Sequence, residues 1–236
     1  IQYRMAPPIG RLVSDCFYEG MIKTGRGPAD KLFEKLNDNL GSVVTWLDTS
    51  DQGQQAYEKR PTGRNSNEYS FENEYEANLI INLIHQLALE PNLTEYFESK
   101  EGAPQIGVIC MYKEQLNLLN RKLLTHSWLR NLVNNGVIKI DTVDSYQGKE
   151  NPIIITSLVR NNAGEIIGFL KEETRANVAL SRAKERLYII GSKNMWAKKN
   201  SDITFGKVLS YLQNNASPDY KIIDSKILEG DNEEAH

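Results

Sequence analysis

The chain has 236 residues, enough to bury a sizeable core in one large domain or two small ones. Its net charge of -3 excludes a global basic field that would draw nucleic acid or anionic membrane, leaving room only for a local basic groove. Two distant cysteines (Cys16 and Cys110), no metal-ligand spacing, no apolar run near the ~20 residues of a membrane span and no signal peptide exclude a disulfide scaffold and a membrane protein, and point to an intracellular, cytoplasmic setting.

The chain opens on IQYRM without an initiator methionine and is expected to belong to a longer polypeptide. Residues 8–19 read as a helix that Gly20 ends, and 20–41, rich in Gly, Lys and Asp, as a surface excursion. SVVTWLD (42–48) is apolar and β-branched, hence a strand, followed by a polar, turn-rich loop to residue 70. Tyr75, Leu79, Leu83, Ile84 and Leu87 recur at helical spacing over 72–90, and Pro91 marks a stop. Next come strand 106–110, helix 113–124 and strand 137–141, then the loop TVDSYQGKEN. Strand 152–159, a polar helix over 172–184, strand 186–192 and helix 205–215 follow, and the acidic stretch after Asp224 is predicted mobile. Uniformly apolar strands separated by helices predict an α/β fold with a mostly parallel sheet covered on both faces. The expected organisation is one domain over 1–200, with a polar excursion around 20–70, and a C-terminal helix and tail over 201–236. Ligands of such sheets bind at the carboxyl ends of the strands. The chemistry is therefore expected in the loops after VIKID and PIIITSLV, and beside the helix before LYIIG.

In DTVDSYQGKE, Gly148 permits a tight turn, Thr142, Ser145 and Gln147 offer neutral hydrogen-bonding groups, and Glu150 a carboxylate. These suit phosphate, sugar or ordered water, although ordinary turn chemistry explains the stretch equally well. In NVALSRAKERLYIIGS, Arg182 at a helix end is placed to offer two parallel N–H bonds to a phosphate. Lys184, Glu185 and Arg186 read instead as a solvated face, with weak pairs among Glu172, Glu173, Arg175 and Lys184. Trp46, Trp128 and Trp196 are assigned to core or docking surfaces, and His85, His126 and His236 to structural or solvated positions.

IQYRMAPPIGRLVSDCFYEG, IGVICMYKEQ, DTVDSYQGKENPIIITSLVRNN and GFLKEETRANVALSRAKERLYIIGS, with SFENEYEANLIINLI between the first two, resemble successive motifs of superfamily 1 helicases. They run in family order over residues 1 to about 192, and the likeness is to the group of the nonsense-mediated-decay RNA helicase and its DNA and RNA helicase relatives. The fold implied is the second of two RecA-like motor domains. The first, with its phosphate loop and magnesium-binding acidic pair, has no counterpart here.

The resemblance implies ATP, with Mg held by that first domain, in the cleft between the two. It matches Arg4 and Arg182 to the arginines that reach the γ-phosphate and Tyr3 to the aromatic on the adenine. Glu150 matches the carboxylate on the ribose, and Gln147 with Gly148 the loop that senses the γ-phosphate. Single-stranded DNA or RNA would be held through its backbone by Tyr112, Lys113, Thr142, Ser145, Arg160 and Asn161. Tyr112 would either stack on a base or pack on the following helix. MYKEQ departs from the family's PYRxQ, so Lys113 keeps the charge but loses the two-point fork. Tyr3 and Arg4, so near the start, are expected to be poorly ordered when isolated. The partners implied are the strand and the first motor domain of the same polypeptide, without a membrane. A non-catalytic nucleic-acid-binding or docking module, and the motor part of a nuclease–helicase fusion or a toxin-associated or defence protein, are the alternatives.

Overall fold

The computed structural model describes residues 1–36, 40–61, 70–99 and 104–229. Among these residues six strands, β1 (Val44–Asp48), β2 (Ile106–Cys110), β3 (Ile138–Thr142), β4 (Asn151–Ser157), β5 (Ala183–Gly191) and β6 (Tyr220–Asp224), form one all-parallel sheet in the order β3-β2-β4-β5-β1-β6. The described residues also form helices against it: α1 (Pro7–Phe17), α2 (Glu74–Leu89), α3 (Pro91–Glu98), α4 (Lys113–Leu123), α5 (Ser127–Asn134), α6 (Glu173–Leu180) and α7 (Phe205–Asn214). Alternation along the strands divides the core. Trp46, Ile109, Ile154, Leu187 and Ile189 pack with α1, α6 and α7, whereas Leu47, Val108, Ile155, Tyr188 and Ile190 pack with α2 to α5. The chain thus has the three-layer α/β RecA-like fold, with the sheet covered on both faces. No helix among the described residues is long and apolar enough to cross a membrane.

Several elements depart from the sequence reading. Pro91 starts a helix as well as ending one, because a proline at the first helical position loses no internal hydrogen bond. α5 and β6 are additional elements, and Ser225–Leu228 docks on α2 through the Tyr75 Oη–Ser225 Oγ contact (3.0 Å) and an Asn82 Nδ2 bond to the Leu228 carbonyl (3.0 Å). The remainder of the acidic tail, 230–236 with His236, lies outside the described residues. The polar helix stops at Leu180, and β5 already begins at Ala183, so Lys184 to Arg186 belong to a strand rather than a helix face.

That change of element overturns the solvated reading of Arg186, which is 1% exposed. Its Nη2 donates to the Phe33 carbonyl (2.6 Å), and its guanidinium lies 5.4 Å from the Phe33 ring centre. Glu185 is buried as well, accepting the Asp30 N–H (2.9 Å) and pairing with Arg26. The excursion after Gly20 is therefore a strap that covers the start of β5. It also holds the N-terminus: Gln2 bridges to Thr24 in a parallel pairing, and Arg26 Nη1 donates to the Arg4 (2.8 Å) and Lys184 (2.7 Å) carbonyls. Gln2 to Arg4 are tied down, not frayed.

Residues 143–150 cross from the carboxyl end of β3 to the amino end of β4, passing over β2 with only a short 3-10 turn at Asp144–Tyr146. Gly107 in β2 makes room for this. A Cβ there would fall 2.2 Å from the hydroxyl of buried Tyr146, which donates to Asn151 Oδ1 at 2.7 Å.

Candidate functional site

Because of that crossover, the two ends of TVDSYQGKE serve opposite edges of the sheet. Thr142 ends β3, in register with Cys110 of β2, whose other partner is Ser157, so it belongs to the carboxyl edge. Glu150 immediately precedes Asn151, and Asn151 pairs with Ala183. Glu150 and Arg182 are thereby set side by side at the amino ends of β4 and β5. Both lie where the sequence reading looked, in the loop after VIKID and beside the helix before LYIIG, but at amino rather than carboxyl ends of strands, because the loop after β3 travels the length of the sheet before β4 starts.

At the amino edge the groups converge on Glu150. Arg4 donates from Nε to Glu150 Oε2 (2.5 Å) and from Nη1 to the Ser181 carbonyl (3.2 Å), while Lys184 Nζ lies 2.6 Å from Glu150 Oε1. The Lys184 and Arg4 bonds together outweigh partial burial and hold the Glu150 carboxyl below the usual carboxylate range. Arg182 bonds to the Val178 (3.1 Å) and Lys149 (3.4 Å) carbonyls, and burial followed by the nearby charge of Arg4 lowers its pKa. Arg182 thus bonds to carbonyls rather than to a carboxylate and stands beside the charge of Arg4, an arrangement suited to receiving an anion. Gln147 and Gly148 are exposed beside them, Gly148 with a φ of +85° that favours glycine. Tyr3 is 70% exposed, its ring against Gly25, where a Cβ would fall 2.4 Å from a ring carbon.

The carboxyl edge divides the other candidates into two groups. Lys113 and Ser145 are exposed and Thr142 half-buried, with Thr142 Oγ1 donating to Ser145 Oγ (3.2 Å). Tyr112, Arg160 and Asn161 are not available to a passing strand as placed. Tyr112 is 2% exposed, its ring 4.2 Å from that of Phe169 and edge-on to Phe71 at 5.6 Å, so it is packed, with rings outside the following helix as its aromatic neighbours. Arg160 pairs with Glu58 (3.1 Å) and lies 4.3 Å over Phe71, and Asn161 donates its backbone N–H to the other Glu58 oxygen (2.5 Å) and its amide to the Ala56 carbonyl (2.9 Å). The reason is Glu58, which stitches the loop after β1 to the loop after β4. Nothing in the polar run around it marked it as an anchor.

Beneath this edge lies a polar hub that sequence reasoning missed. Glu76 is fully buried and accepts from Ser157 Oγ (2.6 Å) and the Val159 N–H (2.9 Å). Asn73 donates to the Val159 carbonyl (3.1 Å), and Gln115 donates to the Asn73 carbonyl (3.0 Å) and to Ser157 Oγ (3.2 Å). Together they hold Val159 at a φ of +69°, a genuine outlier for a β-branched residue, and so fix where the chain turns into Arg160. Burial pushes the Glu76 carboxyl up to about 8. The available signal was a glutamate one turn before Ile80 on the apolar stripe of α2. Among the described residues, no group of three His, Cys, Asp or Glu could hold a metal ion.

A family model for an AAA domain matches residues 1–194. The chain is 32% identical over 203 residues to Helicase sen1 of Schizosaccharomyces pombe, covering 86% of this chain and 11% of that protein. It is 30% identical over 216 residues to the 5'-3' DNA helicase ZGRF1 of Mus musculus, covering 90% and 10%. To the Regulator of nonsense transcripts 1 homolog of Neurospora crassa it is 30% identical over 200 residues, covering 84% and 17%. The chain thus spans less than a fifth of the length of each of these curated relatives.

Proposed function

The chain belongs to the superfamily 1 helicase family, carrying its AAA domain over residues 1–194, and from that premise we propose that it is the second RecA-like motor domain of an ATP-dependent helicase or translocase. The observation that carries this reading is the convergence of Arg4, Arg182, Lys184 and Glu150 at the amino edge, flanked by exposed Tyr3 and Gln147. In this reading ATP is the substrate and sits between this edge and the first motor domain of the same polypeptide. Magnesium would polarise the phosphates from ligands in that first domain.

The chain's own residues bind and orient. Arg4 and Glu150 satisfy one another through a part-exposed ion pair, which exchanges at little cost. With nucleotide in the cleft, Arg4 trades Glu150 and the Ser181 carbonyl for γ-phosphate oxygens, and Glu150 is released to a ribose hydroxyl. Arg182, already anchored to two carbonyls, needs no rearrangement to offer its remaining N–H groups to charge that builds on the phosphoryl oxygens. An arginine placed this way is worth ~10³–10⁵ in rate in phosphoryl-transfer enzymes. Gln147 and Gly148 follow the γ-phosphate, and Tyr3 covers the adenine. On the carboxyl edge, Lys113, Thr142 and Ser145 position single-stranded DNA or RNA through its backbone without reading sequence.

The test is steady-state turnover with saturating single strand. The intact protein should hydrolyse ATP and lose most of that activity with Arg182→Ala, and the 236-residue chain alone should show none. Arg182-dependent turnover by the chain alone would mean that the site is not divided between domains.

A further inference from the structure

With Arg160 and Tyr112 buried, Lys113 is left as the cation of the carboxyl-edge track, and the ribbon beside it supplies a second. Lys59 and Glu72 form an antiparallel bridge, closed by the Lys59 N–H on the Glu72 carbonyl (2.7 Å) and the Glu72 N–H on the Lys59 carbonyl (2.9 Å). This sets Arg60 against Phe71, with its guanidinium 5.5 Å from the ring centre. The same ring carries Arg160 at 4.3 Å. The two arginines differ in everything else: Arg160 is buried and paired with Glu58, whereas Arg60 is exposed and has no acidic partner among the described residues. Ser70 Oγ accepts the Glu114 N–H (3.2 Å), tying the ribbon to the first turn of α4, where Lys113 is exposed and likewise without an acidic partner among the described residues.

Four acids around this edge are already engaged. Glu72 pairs with Arg121 (2.9 Å), Glu58 with Arg160, Asp144 with Arg175 (3.0 Å) and Asp141 with Lys149 (3.0 Å). A chain of net charge -3 therefore presents a local positive lip made of Arg60 and Lys113. The neighbouring Thr142 and Ser145 hydroxyls at the end of β3 continue it across β2. An aromatic ring under a guanidinium orients the fork without neutralising it.

We propose that Arg60 and Lys113 form a phosphate-contact pair for the backbone of a single-stranded nucleic acid, with Phe71 as the platform that aims Arg60. This rests on the reading of the carboxyl edge as a strand track and names the charges that make it one.

The experiment is fluorescence anisotropy of labelled dT and rU oligomers with the intact protein across a salt series, without nucleotide. Each phosphate contact on a single strand contributes about 0.7 to the slope of log affinity against log salt. Arg60→Ala and Lys113→Ala should each lower the slope by about that amount, and the double variant by about twice it. Arg60→Lys should keep most of the slope, whereas a merely structural residue would move affinity and leave the slope alone. Arg130→Ala, which removes an exposed charge on distant α5, should leave both unchanged. Wild-type slopes retained by both single variants would overturn the pair while leaving the strand track standing. Failure of the unmodified protein to bind either oligomer would overturn the track itself, and the pair with it.

Discussion

Two arginine–glutamate pairs hold the two edges of the sheet, and they are opposite in kind. At the amino edge, the Arg4 and Glu150 side chains are 37% and 38% exposed and share their partners with Lys184 and the Ser181 carbonyl. At the carboxyl edge, Arg160 and Glu58 are 7% and 6% exposed, and the same glutamate also takes the Asn161 N–H and the Asn162 amide (2.9 Å). Chemistry alone does not distinguish a contact that exchanges with a ligand from one that holds up a loop. Burial does: an exposed pair is worth ~0–1 kcal/mol, whereas stripping one partner from a buried pair costs ~3–5 kcal/mol.

The contrast breaks most visibly at Glu58. Glu58→Ala leaves a buried guanidinium unpaired and should lower unfolding free energy by ~3–5 kcal/mol, read as a shifted urea midpoint with an unchanged denaturant slope. A midpoint within error of wild type would place Arg160 in solvent and return it to the strand track. Next comes Arg182→Ala, which should cut ATP turnover of the intact protein on the order of 10²-fold or more at near-wild-type stability. Arg182→Lys should recover little of it, and Arg130→Ala serves as the silent control. Arg186→Ala cannot, since it empties a buried site beneath Phe33.

The two edges also carry glutamates that titrate in opposite senses. Glu76 has its carboxyl raised from 4.5 to about 8 by burial. Below pH 4.5 the folded and unfolded chains both hold this proton. Between pH 4.5 and 8 only the folded chain does, so stability falls as pH rises through that window and levels off above it. Glu76→Gln mimics the protonated form and should remove this dependence, so its advantage over wild type should widen between pH 5 and pH 8. Urea midpoints that track wild type at every pH would mean that Glu76 is ionised in place. Glu150, lowered by Lys184 and Arg4, contributes stability above its unfolded pKa that is lost as pH falls through the folded one. Its exposure keeps the effect smallest of all. Glu150→Ala should change stability by less than ~1 kcal/mol, and a loss comparable to that of Glu58→Ala would erase the distinction between the edges.

The strands β1 to β5 were legible because they are short apolar runs between helical patterns, and the parallel sheet follows from them. β6 was not: YKIID is five residues between a polar turn and an acidic tail, and it counts as a strand only because β1 offers it an open edge. SRAKERL contains no breaker, so the end of α6 is set by β5 joining the sheet, not by local preference. The same holds for burial. Arg186 is internal because Phe33, 153 residues earlier, folds over it, and Tyr112 because Phe71 and Phe169 close on its ring. Motif matching named residues but could not say which stand in the wall and which stand on it. The grouping of Arg4, Glu150 and Arg182 was implicit in the motifs, while the edge on which they meet depended on Gly107 letting the crossover pass.

The placement of β1 imposes an order on folding. It is the first of the described strands, yet both its neighbours lie far downstream: Val44 pairs with Leu187 on one side and with Tyr220 on the other. During synthesis this apolar segment emerges early and stays without a partner while well over a hundred further residues are added. β2, β3 and β4 can assemble in the meantime, since they neighbour one another. A chain cut ahead of residue 183 would thus keep a three-stranded half-sheet and leave Val44–Asp48 with no strand on either side. Long-range closures of this kind are slow and expose apolar edges while they wait. Of the six described strands, the one made first is flanked only by strands made last.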